Sequence, residues 1–177
     1  MVCIGHMALA WAQAAPYNLQ VDVIQKDKTF VTEARFVLPL EPCQAWRYIT
    51  DYDAAVNIPG IVSSQTTRFD TNKVRVERVM QDRILLFPIR MRSVMAYREI
   101  PEQGTDFVQT EGEAKSHMGS WRLSAQGDGT LFVYHAVSEP NSSLPMSVIQ
   151  YFVHKRLHSS FAAMAEQGAG RRHTPCH

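Results

Sequence analysis

The chain has 177 residues, 45% hydrophobic and 20% charged, with 18 Lys and Arg against 17 Asp and Glu. That balance describes one ordinary globular domain and excludes a disordered chain. A net charge of +1 without a basic block excludes nucleic acid as the main partner, because phosphate binding needs a concentrated cationic footprint.

Residues 1–15 read as an export signal. Val2 to Trp11 is apolar, and Ala12-Gln13-Ala14 has the small-x-small pattern that signal peptidases cut after. No Lys or Arg precedes the run, so the signal is atypical and the natural start is expected further upstream; a buried first helix is the alternative reading. The apolar run is shorter than the roughly 20 residues of a membrane-spanning helix, so no transmembrane segment is expected and any membrane contact is transient. Residues 16–167 then make one domain and residues 168–177 a disordered tail, with the periplasm or the cell exterior as the expected location.

Asn18 to Val23 and Thr29 to Leu38 look extended and are separated by the polar Gln25-Lys26-Asp27-Lys28, which predicts a hairpin. Glu41-Pro42 opens a helix carrying Ala45, Trp46 and Ile49 on one face, and Asp51 to Val56 forms a second short one, stopped by Pro59-Gly60. From Ile61 to Ser138 there is no helical period. Runs of β-branched and aromatic residues are punctuated at Asp70-Thr71-Asn72, Phe87-Pro88, Pro101 to Thr105 and Gly127-Asp128-Gly129, which predicts about six strands in an antiparallel meander. One of these is expected over Phe107 to Met118. Pro145 to Gln167 is a long amphipathic helix closed by Gly168. Strands that run together with one long helix last are the α+β pattern, with a ligand cavity between the helix and a curved sheet.

Two polar residues interrupt the apolar stripe of the last helix. Ile149, Phe152, Val153, Leu157 and Met164 share a face at 100° per residue, and Arg156 and Ser160 fall in its middle, whereas His154, Lys155 and His158 point elsewhere. A buried guanidinium must find a partner, so Arg156 is either a structural ion pair with the sheet or an anchor for an acidic or carbonyl head group. On the strands, Val74, Val76, Arg78 and Met80 share one face, and Ile89, Met91, Ser93, Met95 and Tyr97 another. The methionines suit an adaptable pocket or plain core filling, and Arg90, Arg92 and Arg98 on the opposite face read as solvated.

Catalytic and metal motifs are sparse. There is no Gly-x-Ser-x-Gly elbow, phosphate-binding glycine loop or His-Glu-x-x-His, and no cofactor is implied. His154 and His158, with His173, Cys176 and His177 in the tail, do not make an organised metal site, and none is expected. Cys43 in the first helix and Cys176 in the tail have such different settings that the sequence argues against a disulfide, and Cys43 reads as a small buried apolar residue. His117, just before the Gly119-Ser120-Trp121 bend, is a turn residue or, paired with Glu111 or Glu113, an acid and base for proton transfer if all face the cavity. No catalytic residue is assigned beyond these two candidates, His117 and Glu113.

Ala45-Trp46, Thr50-Asp51-Tyr52-Asp53, Ile58-Pro59-Gly60-Ile61, Gly119-Ser120-Trp121-Arg122-Leu123, Gly129-Thr130, Glu139-Pro140 and Leu144-Pro145 follow one another in a familiar order. Over about residues 29 to 167 the chain resembles the SRPBCC or START-like superfamily, in its polyketide cyclase/dehydrase or coenzyme-Q-binding-like branch. The resemblance implies a helix-grip fold: an antiparallel sheet wrapped around a long C-terminal helix, with two short helices closing a hydrophobic tunnel. It carries over no universal catalytic residue. By position it nominates Trp46, Tyr52, Trp121, Phe152, Arg156 and Ser160 as pocket residues, to which the strand pattern adds Met91, Met95, Tyr97 and His117. Ala114 and His117 depart from the aromatics expected before the Gly-Ser-Trp bend, and the hairpin strand Asn18 to Val23 is an addition.

Three functions compete. The first is an exported, non-enzymatic binder or carrier of a hydrophobic small molecule (lipid, quinone or isoprenoid-like), with Arg156 orienting its head group and Ser160 and His117 behind it. The second is a cyclase or dehydratase on a polyketide-like substrate, with His117 as acid/base and Glu113 or Arg156 polarising it. The third is an interaction module whose cavity is merely a core and whose arginine face binds a protein.

Overall fold

The computed structural model describes residues 16–84, 87–142, 144–173 and 175–176; the expected export signal lies outside them. After a 3-10 turn at Pro16–Asn18, β1 (Gln20–Lys26) and β2 (Thr29–Leu38) form the expected hairpin, with Asp27 at φ 52 in its two-residue turn. Helix α1 (Pro42–Thr50) starts at a proline, and the Glu41 backbone N–H donates to Gln44 Oε1 at 2.9 Å, satisfying one donor at the helix start. A 3-10 helix follows at Asp53–Asn57.

Six strands then run as a meander: β3 (Ile61–Asp70), β4 (Lys73–Ile84), β5 (Phe87–Ile100), β6 (Gly104–Gly112), β7 (Ser116–Gln126) and β8 (Gly129–Glu139). The strand expected over Phe107 to Met118 is two strands joined by a tight turn. Gly112 lies at φ +146, and a Cβ there would stand 2.8 Å from the Arg92 carbonyl oxygen, so a side chain is excluded where β6 ends. One eight-stranded antiparallel sheet results, in the order β1-β2-β8-β7-β6-β5-β4-β3, because β8 returns to pair with β2. Helix α2 (Met146–Ala169) crosses its inner face. This is the expected α+β helix-grip architecture.

The C-terminal half of α2 packs closely on the sheet. Phe36 and Phe132 stack at 5.1 Å between ring centroids, fully buried, and Phe161, Ala165 and Gly168 of α2 are buried beside Leu38, Leu40 and Ala45. A Cβ on Gly168 would reach within 2.4 Å of Leu38, which measures how near the C-terminal half of α2 lies. Ile149 in the first turn of α2 is buried as well, and the cavity runs along the helix from Val153 to Gln167.

The C-terminal tail overturns two expectations. It is ordered from Gly170 to His173 as a 3-10 helix and lies against α1, where Gln44 Nε2 donates to the Arg172 carbonyl at 3.0 Å and Arg47 Nη1 to that of Pro175 at 2.6 Å. Cys43 and Cys176 are joined as a disulfide, with Cα atoms 5.9 Å apart across 133 residues of sequence, and Cys43 is half-buried rather than a core residue. The two cysteines looked unrelated because nothing local in the sequence tells that the chain leaving α2 doubles back over α1.

Candidate functional site

The cavity between the sheet and α2 has a volume of about 460 Å³. Strand alternation puts Val74, Val76, Arg78 and Met80 of β4 on its side, and Met91, Ser93, Met95 and Tyr97 of β5. The register orders these into rows. Val76 faces Met95 and Met80 faces Met91, while between them Arg78 faces Ser93 on one side and Ser64 of β3 on the other. Two apolar rows therefore enclose one polar row crossing three strands.

Arg78 has no acidic partner. Its Nε donates to Ser64 Oγ at 3.3 Å and its Nη1 to the Tyr97 hydroxyl at 3.4 Å, both long, and among the described residues no carboxylate pairs with it. Across the cavity His117, near the start of β7, faces Ser138 of β8, with Nδ1 and Ser138 Oγ 2.6 Å apart. Burial, and then the positive charge of Arg78, bring the His117 pKa down to about 4, so the ring is neutral at physiological pH. Burial also pushes the Tyr134 hydroxyl well above its ordinary range, with Tyr97 adding to the effect and Arg78 opposing it. Tyr52 is raised by burial and then by the Glu99 carboxylate.

Aromatic rings make the rest of the wall. Tyr52 and Tyr97 lie 4.6 Å apart, Tyr97 and Phe107 5.5 Å, Phe107 and Tyr134 5.8 Å, Tyr134 and Trp121 5.0 Å, and Trp121 and Phe161 of α2 5.9 Å. This continuous ring surface suits a flat or chain-like apolar body. Tyr48 of α1 also lines the cavity; its hydroxyl donates to the Met164 carbonyl at 2.6 Å, and burial pushes its pKa up to about 12.

The rim is built from matched charges. Arg156 of α2 pairs through Nη1 with Asp82 Oδ2 at 2.9 Å, and its Nη2 donates to the Pro59 carbonyl. Gly60 makes room for this: it sits at φ +83, and a Cβ there would fall 1.7 Å from Arg156 Nη2. At the other edge Arg171 pairs with Asp51 at 3.0 Å and lies over the Tyr48 ring at 5.9 Å. All four charged side chains are 30–39% exposed, which places them at the solvent edge. A smaller hollow of about 320 Å³ between Pro42, Pro101 to Gln103 and Leu123 to Ala125 offers only Glu102 as a titratable side chain.

Of the ten nominated ligand residues, Tyr52, Met91, Met95, Tyr97, His117, Trp121, Arg156 and Ser160 line the cavity, and Trp46 and Phe152 do not. On α1 the inward stripe is Ala45, Tyr48 and Ile49, continued by Tyr52, which leaves Trp46 on the flank, half-buried. On α2 the lining runs through Val153, Arg156, Leu157, Ser160, Met164 and Gln167; Phe152 stands about 80° off Ser160 at 100° per residue, its ring 5.4 Å from that of Tyr151. Glu113 is exposed in the turn between β6 and β7 and does not reach the cavity, and Glu111 is on the outer face. There it joins Arg75 and Arg92, which also pair with Glu77, while Arg98 and Arg122 share Asp106. Arg92 and Arg98 are thus paired rather than simply solvated, whereas Arg90 is exposed with no ion pair among the described residues. The reading also missed Arg78, although an arginine alone among Val74, Val76 and Met80 was the signal that could have found it.

No family model matches the sequence, and no curated protein does. Solved structures are similar in fold. The Zhui aromatase/cyclase from Streptomyces sp. R1128 superposes with a TM-score of 0.68 at 10% identity, covering 82% of this chain and 97% of that one. A STAR-related lipid transfer protein fragment from Xanthomonas axonopodis gives 0.65 at 11% identity, covering 84% and 98%. A START superfamily protein from Mycobacterium smegmatis gives 0.62 at 13% identity, covering 80% and 96%. With the cavity between sheet and grip helix and a coverage close to each neighbour's full length, the chain has the START-like helix-grip fold.

Proposed function

We propose that this chain binds and carries a hydrophobic small molecule, of lipid, quinone or isoprenoid kind, in the cavity between the sheet and α2. The observation that carries the reading is the 460 Å³ space itself, walled by methionines and a run of aromatic rings and crossed by the Arg78–Ser93 row. Apolar burial supplies affinity there and a few polar groups supply orientation. The neighbouring folds, one a STAR-related lipid transfer protein and one an aromatase/cyclase, support a cavity used for hydrophobic molecules.

Export belongs to the same reading. A disulfide between Cys43 and Cys176 suits an oxidising compartment and supports the export signal expected over residues 1–15. Among the described residues no helix is long and apolar enough to cross a membrane. A carrier is favoured over a cyclase because, of the two partners that reading gives His117, Glu113 is exposed outside the cavity and Arg156 is held at the rim by Asp82. The interaction-module reading loses support because its arginine face is largely neutralised by its own carboxylates.

Native mass spectrometry with lipid extraction, on protein purified without detergent, tests the carrier. A stoichiometric hydrophobic adduct that survives gel filtration is the expected result. A protein that is empty and also fails to take up a fluorescent fatty acid would remove the proposal.

A further inference from the structure

We infer that the ligand's head group is an oxyanion seated on Arg78, within the Ser64–Arg78–Ser93 row; this rests on the proposed binding of a hydrophobic molecule. The argument begins with charge. A guanidinium stays protonated in proteins, and one held in an apolar wall is costly unless an anion answers it. The two acids that line the cavity are already committed, Asp82 to Arg156 and Asp51 to Arg171. Arg78 is the cavity-lining arginine without a carboxylate among the described residues. His117, across the cavity, is neutral and adds no second positive charge.

Hydrogen bonding points the same way. The guanidinium has five N–H donors, and the two long bonds to Ser64 and Tyr97 occupy one on Nε and one on Nη1, leaving three. Because the Tyr97 hydroxyl accepts from Arg78, its own proton is free to donate. Ser93, directly opposite Arg78 on β5, adds another donor. A planar or tetrahedral oxyanion can use such a cluster in a fork, which a neutral alcohol cannot. The rows on either side, Val76–Met95 and Met80–Met91, leave apolar walls next to the head group for an acyl or ring body.

Calorimetric titration at pH 7.5 with dodecanoate and dodecyl phosphate, each below its micelle concentration, and with dodecanol below its solubility limit, tests this. The wild type is expected to bind at least one of the two anions about ten- to hundredfold more tightly than the alcohol, the size of a charge-assisted hydrogen bond. Which anion binds more tightly tells a carboxylate from a phosphate head group. Arg78→Met is expected to lose that preference while still binding dodecanol, and Arg78→Lys to retain part of it. Equal affinity for anions and alcohol in the wild type, or a preference that survives in Arg78→Met, would overturn the inference and leave hydrophobic binding standing. If Arg78→Met does not fold, the wild-type ratio and Arg78→Lys decide alone. Binding of none of the three would remove the binding proposal itself and this inference with it.

Discussion

The rim and the interior of the cavity treat arginine in opposite ways. At the rim Arg156 meets Asp82 at 2.9 Å and the Pro59 carbonyl, and Arg171 meets Asp51 at 3.0 Å. In the interior Arg78 meets only hydroxyls, at 3.3 and 3.4 Å. A charge that is matched by a carboxylate is part of the scaffold, whereas one left unmatched in an apolar wall is available to a ligand. The outer face of the sheet follows the rim: hydrogen bonds from Arg98 and Arg122 hold the Asp106 carboxyl below its ordinary range, and one from Arg92 does the same for Glu77. Among the arginines that line the cavity, Arg78 is thus the exception, since Arg156 and Arg171 both meet carboxylates.

The widest separation between the two regions is expected from the tail. Cys176→Ser opens a loop of 133 residues and releases the segment that brings Arg171 to Asp51. A loss of about 2–5 kcal/mol in urea denaturation is expected, the range for removing a native disulfide. The preference of the interior for an anionic head group should stay unchanged in calorimetry. If that preference is lost as well, rim and interior are one unit and the comparison fails.

The interior has its own signature in pH. His117 has a pKa of about 4 in the fold against an ordinary value of 6.5, so the unfolded chain takes up the proton first. Its stabilising effect is full above pH 6.5 and is lost as pH falls through about 4, for a total of about 3 kcal/mol. Denaturation midpoints measured between pH 4 and 7 should show this slope, and His117→Gln should flatten it. A slope unchanged in the variant would mean that another group carries it.

Smaller effects sharpen the rim. Gly60→Ala forces a side chain at φ +83 and pushes the Arg156 guanidinium aside, for an expected cost of about 1–3 kcal/mol in thermal unfolding. Asp82→Asn should cost less than about 1 kcal/mol, because the pair is partly exposed, yet it should speed ligand exchange in stopped-flow experiments. Arg156→Leu should leave the ratio of anion to alcohol affinity untouched. A collapse of that ratio would restore Arg156 as the anchor and displace Arg78.

Much of this site was legible in sequence, and its errors share one cause. Periodicity put Arg78, Met91, Met95 and Tyr97 on the same faces that the cavity uses, and it placed Arg156 and Ser160 on the inward side of α2. It failed at Phe152 because α2 seats Phe161, Ala165 and Gly168 near the core, so the inward face shifts along the helix. It failed at Glu113 because a strand reading ran through the turn after Gly112, where a glycine conformation, and not a hydrophobic pattern, ends the strand. The reversed weighting of Arg156 and Arg78 has the same origin, since partners on another element are invisible to alternation.

The sequence by itself determined the α+β order, most of the strands and helices, and which residues share a face of each, since these follow from spacing along one segment. Tertiary structure alone decided which charges find partners. Asp82 reaches Arg156, Asp51 reaches Arg171, and Cys43 reaches Cys176 only when β4, α1, α2 and the tail converge. Coulomb interactions and covalent bridges act over a few ångströms of space whatever the distance along the chain, and so which cavity-lining arginine is left for a ligand is known only after Arg156 and Arg171 have been paired.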